Sequence, residues 1–338
     1  MARRGGWRRA GSKRRFRYLD ARGNRIDDEA KLARIEALAI PPAWKEVWIS
    51  PNAGAKLQAT GVDAAGRRQY LYHPGFRAQQ EQAKFDKLVR FAEKLPDLRV
   101  AMAKHMDLEA YERERVCAVA VRLLNLAWFR VGSDRYAKSS RTYGVTTLYK
   151  KHVSVRGSKI AFAFRAKHKA LVRTTLVDRE LADSIDDLLD LPGGGRLFRY
   201  ANGDGVCALS GAVLNDYIQE HMGEDFSAKD FRTWGGTLLA AVALAERDPP
   251  ESEAEAKRRI AAVMRTVGER LGNTPTVARS SYVSPAVVEQ YLDGRTIDDF
   301  RPRHLRVVRA RETGLDPEEQ AVVSLLRSWR IRRSRAAA

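Results

Sequence analysis

The spacing of apolar residues changes character along the chain. Up to about residue 83 the apolar positions fall in short pieces broken by turn residues; from about residue 84 they recur at helical spacing. In the first part, residues 47–49, 56–60 and 67–72 read as strands. The last two flank a Gly- and Asp-containing turn, Gly61 to Gly66, which predicts an antiparallel hairpin. Residues 28–38 read as a short helix that Pro41-Pro42 must end, because proline lacks the amide donor and restrains the residue before it. His73-Pro74-Gly75 closes this β-rich segment.

In the second part, Val116, Val119, Ala120, Leu123, Leu124 and Ala127 repeat as one face of a helix, with Gly132 as its stop. Residues 146–155 and 160–165 predict a second hairpin, turned at Arg156-Gly157-Ser158. In it Ile160, Phe162 and Phe164 alternate toward a buried face. Residues 178–189 read as a helix ended by Leu191-Pro192-Gly193-Gly194-Gly195. No P-loop lysine follows that glycine run, so it reads as a turn. Ser227-Ala228-Lys229-Asp230 is a loose capping box opening a helix with Phe231, Trp234, Leu238 and Val242 on its apolar face. Ser252 with Glu255 caps another, running through Ile260, Val263, Met264 and Val267 to Gly272. Ser284-Pro285 opens a short one ending near Gly294. The tail beyond Phe300 mixes basic residues with Val307, Val308, Leu325 and Leu326, and has room for one more helix. The expected fold class is α+β: a small β-rich N-terminal domain, residues 1–83, and a larger, mainly helical domain, residues 84–338.

Charge narrows the function. The 338 residues include 61 Lys and Arg against 42 Asp and Glu, a net +19. Cations are dense at the start, where eight of the first 18 residues are basic, and recur mid-chain at Arg67, Arg68, Lys150, Lys151, Lys167 and Lys169. Such a spread points to a polyanion that the protein surrounds, since Lys and Arg release condensed counterions on meeting phosphates. No apolar run approaches the ~18 residues of a membrane span. The basic start lacks the apolar stretch of a secretory signal and reads as a mobile arm. Cys117 and Cys207 form no metal or disulfide pattern. A cytoplasmic, nucleoid-associated protein is expected. Charge alone separates neither DNA from RNA nor an enzyme from a binder.

The chain has no HExxH, P-loop or Gly-x-Ser-x-Gly motif. Phosphate chemistry would then lean on fixed cations. Arg130, in Phe129-Arg130-Val131-Gly132, reads as the last turn of an apolar helix, where a guanidinium is held for bidentate work or simply meets the helix dipole. Arg232 falls in the first turn of a helix between aromatics, a phosphate site or a solvent-facing charge. Lys167 sits just beyond a hairpin strand, where a lone lysine is ordinarily solvated.

Their order along the chain is more telling than any one of them. Arg130, a hairpin lysine, Lys229-x-x-Arg232, then Gly272-Asn273-Thr274-Pro275 and Tyr282, resemble the poxviral and bacterial small type IB DNA topoisomerases. The strings Thr142-Tyr143-Gly144-Val145-Thr146-Thr147-Leu148 and Asp230-Phe231-Arg232-Thr233-Trp234-Gly235 carry the same resemblance, which runs from about residue 40 to 295.

The resemblance implies that Tyr282 attacks a phosphodiester and keeps a 3′-phosphotyrosyl ester, that Arg130 and Arg232 hold the non-bridging oxygens, and that Lys167 protonates the departing 5′-oxygen. It further implies a monomeric clamp around duplex DNA, without cofactor, ATP or metal. Where the family usually has histidine this chain has Asn273; an amide can replace an imidazole as hydrogen-bond donor to phosphate but not as acid or base. Gln69-Tyr70-Leu71-Tyr72 resembles the family's groove-contacting strand, and Tyr136 with Ser139, Ser140 and Arg141 its backbone contacts. Two rivals remain: a tyrosine recombinase, which ordinarily has His-x-x-Arg where this chain has Lys229-x-x-Arg232, and a basic DNA-binding protein without activity.

Overall fold

Alternation decides the N-terminal sheet even where arginine dominates. A computed structural model describes residues 5–12, 15–109, 111–203, 205–247, 250–301 and 314–337. Strands β1 (Trp7–Ser12) and β2 (Arg15–Leu19) form a hairpin; helix α1 (Glu29–Ala37) follows, its N-cap Asp28 accepting from the Lys31 amide at 2.9 Å. β3 (Lys45–Ile49), β4 (Leu57–Val62) and β5 (Arg68–Tyr72) complete an antiparallel sheet of order β2-β1-β3-β4-β5. Trp7 pairs with Ile49, Ile49 with Ala59 and Ala59 with Leu71, so these residues share one face. With Ile35, Ile40 and Val47 they form a small core. Along the other face Arg8 pairs with Trp48, Trp48 with Thr60 and Thr60 with Tyr70.

The basic start is therefore not a mobile arm. Residues 7–12 and 15–19 are strands, because Trp7, Phe16 and Tyr18 alternate among the arginines and supply an inward face. Arg9 spans that face: its guanidinium lies 4.2 Å from the Phe16 ring centroid and donates to the carbonyls of Pro41 at 3.1 Å and Trp44 at 2.6 Å. Residues 1–4 and 13–14 of the expected arm lie outside the described residues.

Helix α2 (Pro74–Met106) begins ten residues before helical patterning becomes visible, with Pro74 pre-set for the first helical position. The chain divides into two compact units, Met1–Lys84 and Phe85–Ala338, and the division falls inside this helix.

The second unit is built around α3 (Arg113–Ala127), nine of whose fifteen residues are buried. After α4 (Asp134–Ser140) come β6 (Val153–Arg156), β7 (Lys159–Arg165) and β8 (Leu171–Val177), an antiparallel sheet in that order. The expected strand 146–155 forms only at its end: residues 145–147 and 150–152 are short 3-10 turns instead. β8 escapes a sequence reading because only Leu176 in it is buried. α5 (Arg179–Asp190) then leads into the glycine run. Lys150 donates there to the carbonyls of Leu189 (2.6 Å) and Leu191 (2.5 Å), and Arg199 to those of Leu191 (2.9 Å) and Pro192 (3.1 Å). A loop that offers carbonyls to cations is the opposite of a phosphate cradle.

β9 (Arg199–Asn202), β10 (Gly205–Ala208) and α6 (Gly211–Met222) precede the helices that carry the site: α7 (Ala228–Ala245), α8 (Glu253–Leu271), α9 (Pro275–Ser281) and α10 (Pro285–Leu292). α11 (Pro317–Ala337) packs Ala321, Val322, Leu325 and Leu326 into the core, whereas Val307 and Val308 lie outside the described residues. The architecture is α+β, a β-rich N-terminal unit followed by a larger, mainly helical one.

Candidate active site

The string Gly272-Asn273-Thr274-Pro275 is cap grammar. Gly272 takes a left-handed backbone (φ +61°) and ends α8, the Asn273 amide reaching back to the Gly268 carbonyl at 2.7 Å. Thr274 then caps α9 by accepting from the Val277 amide at 3.3 Å, and Pro275 fills the first position. Tyr282 closes that seven-residue helix.

The end of α8 leaves carbonyls without helical partners, and two guanidinium groups take them. Arg232 donates from Nη2 to Leu271 O at 2.7 Å, and Arg130 from Nη2 to Gly272 O at 3.0 Å and Asn273 Oδ1 at 2.6 Å. Arg232 Nη1 donates to the carbonyl of Trp128, the left-handed residue (φ +53°) that ends α3. Two helix C-termini, each the negative end of a dipole, thus aim both arginines. Arg232 is 4% exposed, and its Nε is buried without a hydrogen-bond partner among the described residues. Its guanidinium carbon lies 4.9 Å from the centroid of the Tyr282 ring.

Arg130 is not in the last turn of α3, where its sequence context places it. The helix ends at Ala127, and Arg130 lies in the irregular stretch that follows. The Val145 amide holds it by donating to its carbonyl at 2.8 Å. Gly144 must be glycine, since a Cβ there would meet Arg130 O at 2.3 Å. That close approach explains the Tyr143-Gly144-Val145 string physically: it braces the backbone of a site arginine.

The electrostatics follow from this packing. Burial alone pushes the half-buried Tyr282 phenol up, but the Arg232 guanidinium against its ring, then Arg130 and Lys229, outweigh it and leave the phenol below its usual range. Burial, with Arg232 adding repulsion, lowers Arg130 to about 10, so it stays protonated at neutral pH. Arg232 is lowered by burial, while Tyr282 opposes the shift.

The other expected residues fall in several places. Lys167 is exposed in the turn between β7 and β8, where His168 and Lys169 both have left-handed backbones. Its neighbours Ala166 and Ala170 line the same open cleft, about 370 Å³, as Arg130, Arg232 and Gly272. Asn273 places its carbonyl oxygen against Arg130, a group with donors only, while its amide nitrogen donates to the Leu271 carbonyl at 3.4 Å. Lys229 is exposed in the first turn of α7. Tyr136, Ser139, Ser140 and Arg141 are all exposed at or just beyond α4.

On β5, Tyr70 (48% exposed) and Tyr72 (42%) share the outer face, ring centroids 6.2 Å apart. Gln69 points to the other face and donates to Asp63 at 2.9 Å, so the strand does not present it together with the tyrosines. Sequence reading missed Trp128, whose carbonyl anchors Arg232, and Gly235, where a Cβ would strike the Trp128 ring at 2.3 Å. A Gly-Gly pair inside a helix was the available signal, since each glycine costs about 1 kcal/mol there.

Comparison with known proteins agrees with this geometry. Residues 73–299 match the family model described as eukaryotic DNA topoisomerase I, catalytic core, and residues 15–63 match bacterial DNA topoisomerase IB, N-terminal domain. DNA topoisomerase 1B of Acanthamoeba polyphaga mimivirus is 32% identical over 291 residues, 84% of this chain and 86% of that protein. DNA topoisomerase 1B of vaccinia virus (strain Copenhagen) is 23% identical over 257 residues, 75% of this chain and 78% of that protein. Among solved structures, the XerH site-specific recombinase bound to difH substrate aligns at TM-score 0.37 and 15% identity, covering 59% of this chain and 51% of that one, too low a likeness to argue from. The chain belongs to the type IB DNA topoisomerase family.

Proposed function

We propose that this chain relaxes supercoiled duplex DNA through transient cleavage of one strand, with Tyr282 as nucleophile. The observation that carries the reading is the set of two helix-anchored guanidinium ions beside one phenol, Arg232 with a buried N–H still unmatched. A phenol with an ordinary pKa of about 10 attacks poorly at neutral pH, and cations around Tyr282 favour its ionised form.

In this reading the Tyr282 oxygen forms a bond to the scissile phosphorus while the bond to the 5′-oxygen breaks. The phenolic proton passes to solvent, and Lys167 protonates the 5′-oxygen as it leaves. Arg130 and Arg232 balance the charge that builds on the non-bridging oxygens, and Asn273 keeps Arg130 turned toward them. After rotation of the broken strand, the 5′-hydroxyl attacks the phosphotyrosyl ester, Lys167 takes back the proton, and Tyr282 leaves as the phenolate, which regains its proton from solvent. One ester replaces another, so the energy of the broken bond is kept and no ATP is called for. A monomer is the proposed working unit.

The second reading, a tyrosine recombinase, is disfavoured by Lys229 three residues before Arg232. One assay addresses both. Plasmid with no designated recombination site is incubated with the protein in EDTA without nucleotide. Stepwise relaxation is expected, whereas relaxation that needs a defined site, or a strict need for ATP or magnesium, contradicts the proposal.

A further inference from the structure

α7 meets Tyr282 at three points, and only Arg232 belongs to the chemistry described so far. One turn beyond it, Gly236 leaves no room for a side chain: a Cβ there would lie 2.7 Å from the Tyr282 carbonyl oxygen and 3.0 Å from Tyr282 Cβ. The next residue, Thr237, is 0% exposed. Its hydroxyl donates to the Tyr282 carbonyl at 3.2 Å and accepts from the Ser284 amide at 3.1 Å. Ser284, itself buried, is the residue from which α10 starts.

One hydroxyl thus fastens the chain on both sides of Val283, where it leaves a helix of only seven residues. A threonine serving only to fill space would need its volume and not its oxygen. Here the oxygen satisfies two backbone groups, the carbonyl of the attacking residue itself and the amide two residues on, for which no other partner is seen among the described residues.

We propose that Thr237 is a positioning residue for the nucleophile, its hydroxyl fixing the Tyr282 backbone so that the phenol stays beneath Arg232. This rests on the assignment of Tyr282 as nucleophile. The same helix then carries a phosphate-binding guanidinium and, five residues on, the grip that sets the distance from that guanidinium to the attacking oxygen. Because Gly236 lets the two backbones touch, the grip is short and stiff.

The test is single-turnover cleavage of an end-labelled duplex by Thr237→Val, Thr237→Ser and Thr237→Cys, with Tyr282→Phe alongside and with melting and filter binding measured for each. Thr237→Val keeps the shape and removes the oxygen. Cleavage should slow by about 10- to 100-fold, the scale expected when reacting groups shift by up to about 1 Å, while DNA binding holds. Thr237→Ser should stay near wild type, and Thr237→Cys should fall between, since a thiol is a weak donor and acceptor. The pH–rate profile of Thr237→Val should also move to higher pH, because the displaced phenol loses part of the pull of Arg232, Arg130 and Lys229.

Wild-type cleavage by Thr237→Val, a serine variant as slow as the valine one, or an unmoved pH profile would each overturn the proposal. Should the valine variant not fold, cysteine matching serine would overturn it, and cysteine well below serine would support it. An adduct formed by Tyr282→Phe would instead sink the nucleophile assignment, and this inference with it.

Discussion

Arg232→Lys keeps the positive charge at the centre of the site and removes its geometry. The guanidinium spans two carbonyls, Trp128 O at the end of α3 and Leu271 O at the end of α8, and in the proposed chemistry its Nε, buried without a partner among the described residues, is left for a phosphate oxygen. An ammonium is one point donor on a flexible stem and cannot bridge both helix ends while also facing a phosphate. At least one charge-assisted hydrogen bond is lost, worth about 1.5–3 kcal/mol. If that loss is felt in the transition state, cleavage slows by roughly 10- to 150-fold, at about 1.4 kcal/mol per factor of ten. Arg232→Ala removes the charge as well and should cost at least about 100- to 1,000-fold, the usual toll of deleting a preorganised donor to a developing oxyanion.

The pH dependence gives a second reading of the same residue. Tyr282 is held below the usual phenol range by Arg232 in concert with Arg130 and Lys229, against the opposing effect of burial. Removing Arg232 therefore raises the phenol pKa, and the rate should go on climbing to higher pH in Arg232→Ala than in wild type. Arg232→Lys, with its charge kept, should shift less. The assay is single-turnover cleavage of a duplex whose leaving strand is short enough to diffuse away, followed across pH, with binding measured separately. Wild-type cleavage by Arg232→Lys, or an unmoved pH profile in Arg232→Ala, would refute the reasoning.

Lys167→Ala should slow cleavage by about 100- to 10,000-fold, the range for loss of a general acid, and sulfur in place of the bridging 5′-oxygen should restore it, since a thiolate leaves without a proton. No rescue with DNA binding intact would make Lys167 an electrostatic group, and the proton donor would be sought first at Arg130. On the N-terminal sheet, Arg8 shares the outer face with Trp48 and Tyr70, while Arg17 opposes Ala10 on that same face. Arg8→Gln with Arg15→Gln and Arg17→Gln, all exposed positions, should lower the slope of log affinity against log salt by up to about 0.9 for each phosphate left without its cation. Deleting residues 1–18 is a poorer test, because it removes β1 and most of β2; an unchanged slope in the triple variant would show that this hairpin does not touch phosphate.

The capped and strongly periodic elements are legible in the sequence. Ser227, Ser252 and Ser284-Pro285 mark helix starts that the structure keeps, and Gly272 ends α8 in the left-handed conformation favoured by glycine. Arg130, Arg232, Asn273 and Tyr282 all stand out as candidates in the sequence, and they are spatially close. How Arg130 is held is not legible, because α3 stops at Trp128, a non-glycine residue in a left-handed conformation that carries no sequence mark.

That Asn273 accepts from Arg130 is not legible either, because sequence does not show which end of an amide faces a neighbouring guanidinium. The β1–β2 hairpin is hidden by composition: eight basic residues in eighteen outweigh the alternation of Trp7, Phe16 and Tyr18. β8 offers almost no alternation to read, whereas strand alternation alone already separates Gln69 from Tyr70 and Tyr72, a split that grouping the four residues as one contact string hides.

The most direct test of the account asks which atom becomes joined to DNA. Wild-type protein is mixed with an end-labelled duplex, quenched with detergent and digested, and the DNA-linked peptide is sequenced; Tyr282→Phe is treated identically, with its binding measured beforehand. In wild type a strand joined through its 3′-phosphate to the residue 282 peptide is expected. No adduct is expected from Tyr282→Phe at unchanged affinity, since only a phenolic oxygen has been removed. An adduct mapped to another residue, or one formed by Tyr282→Phe at the wild-type rate, would contradict the account.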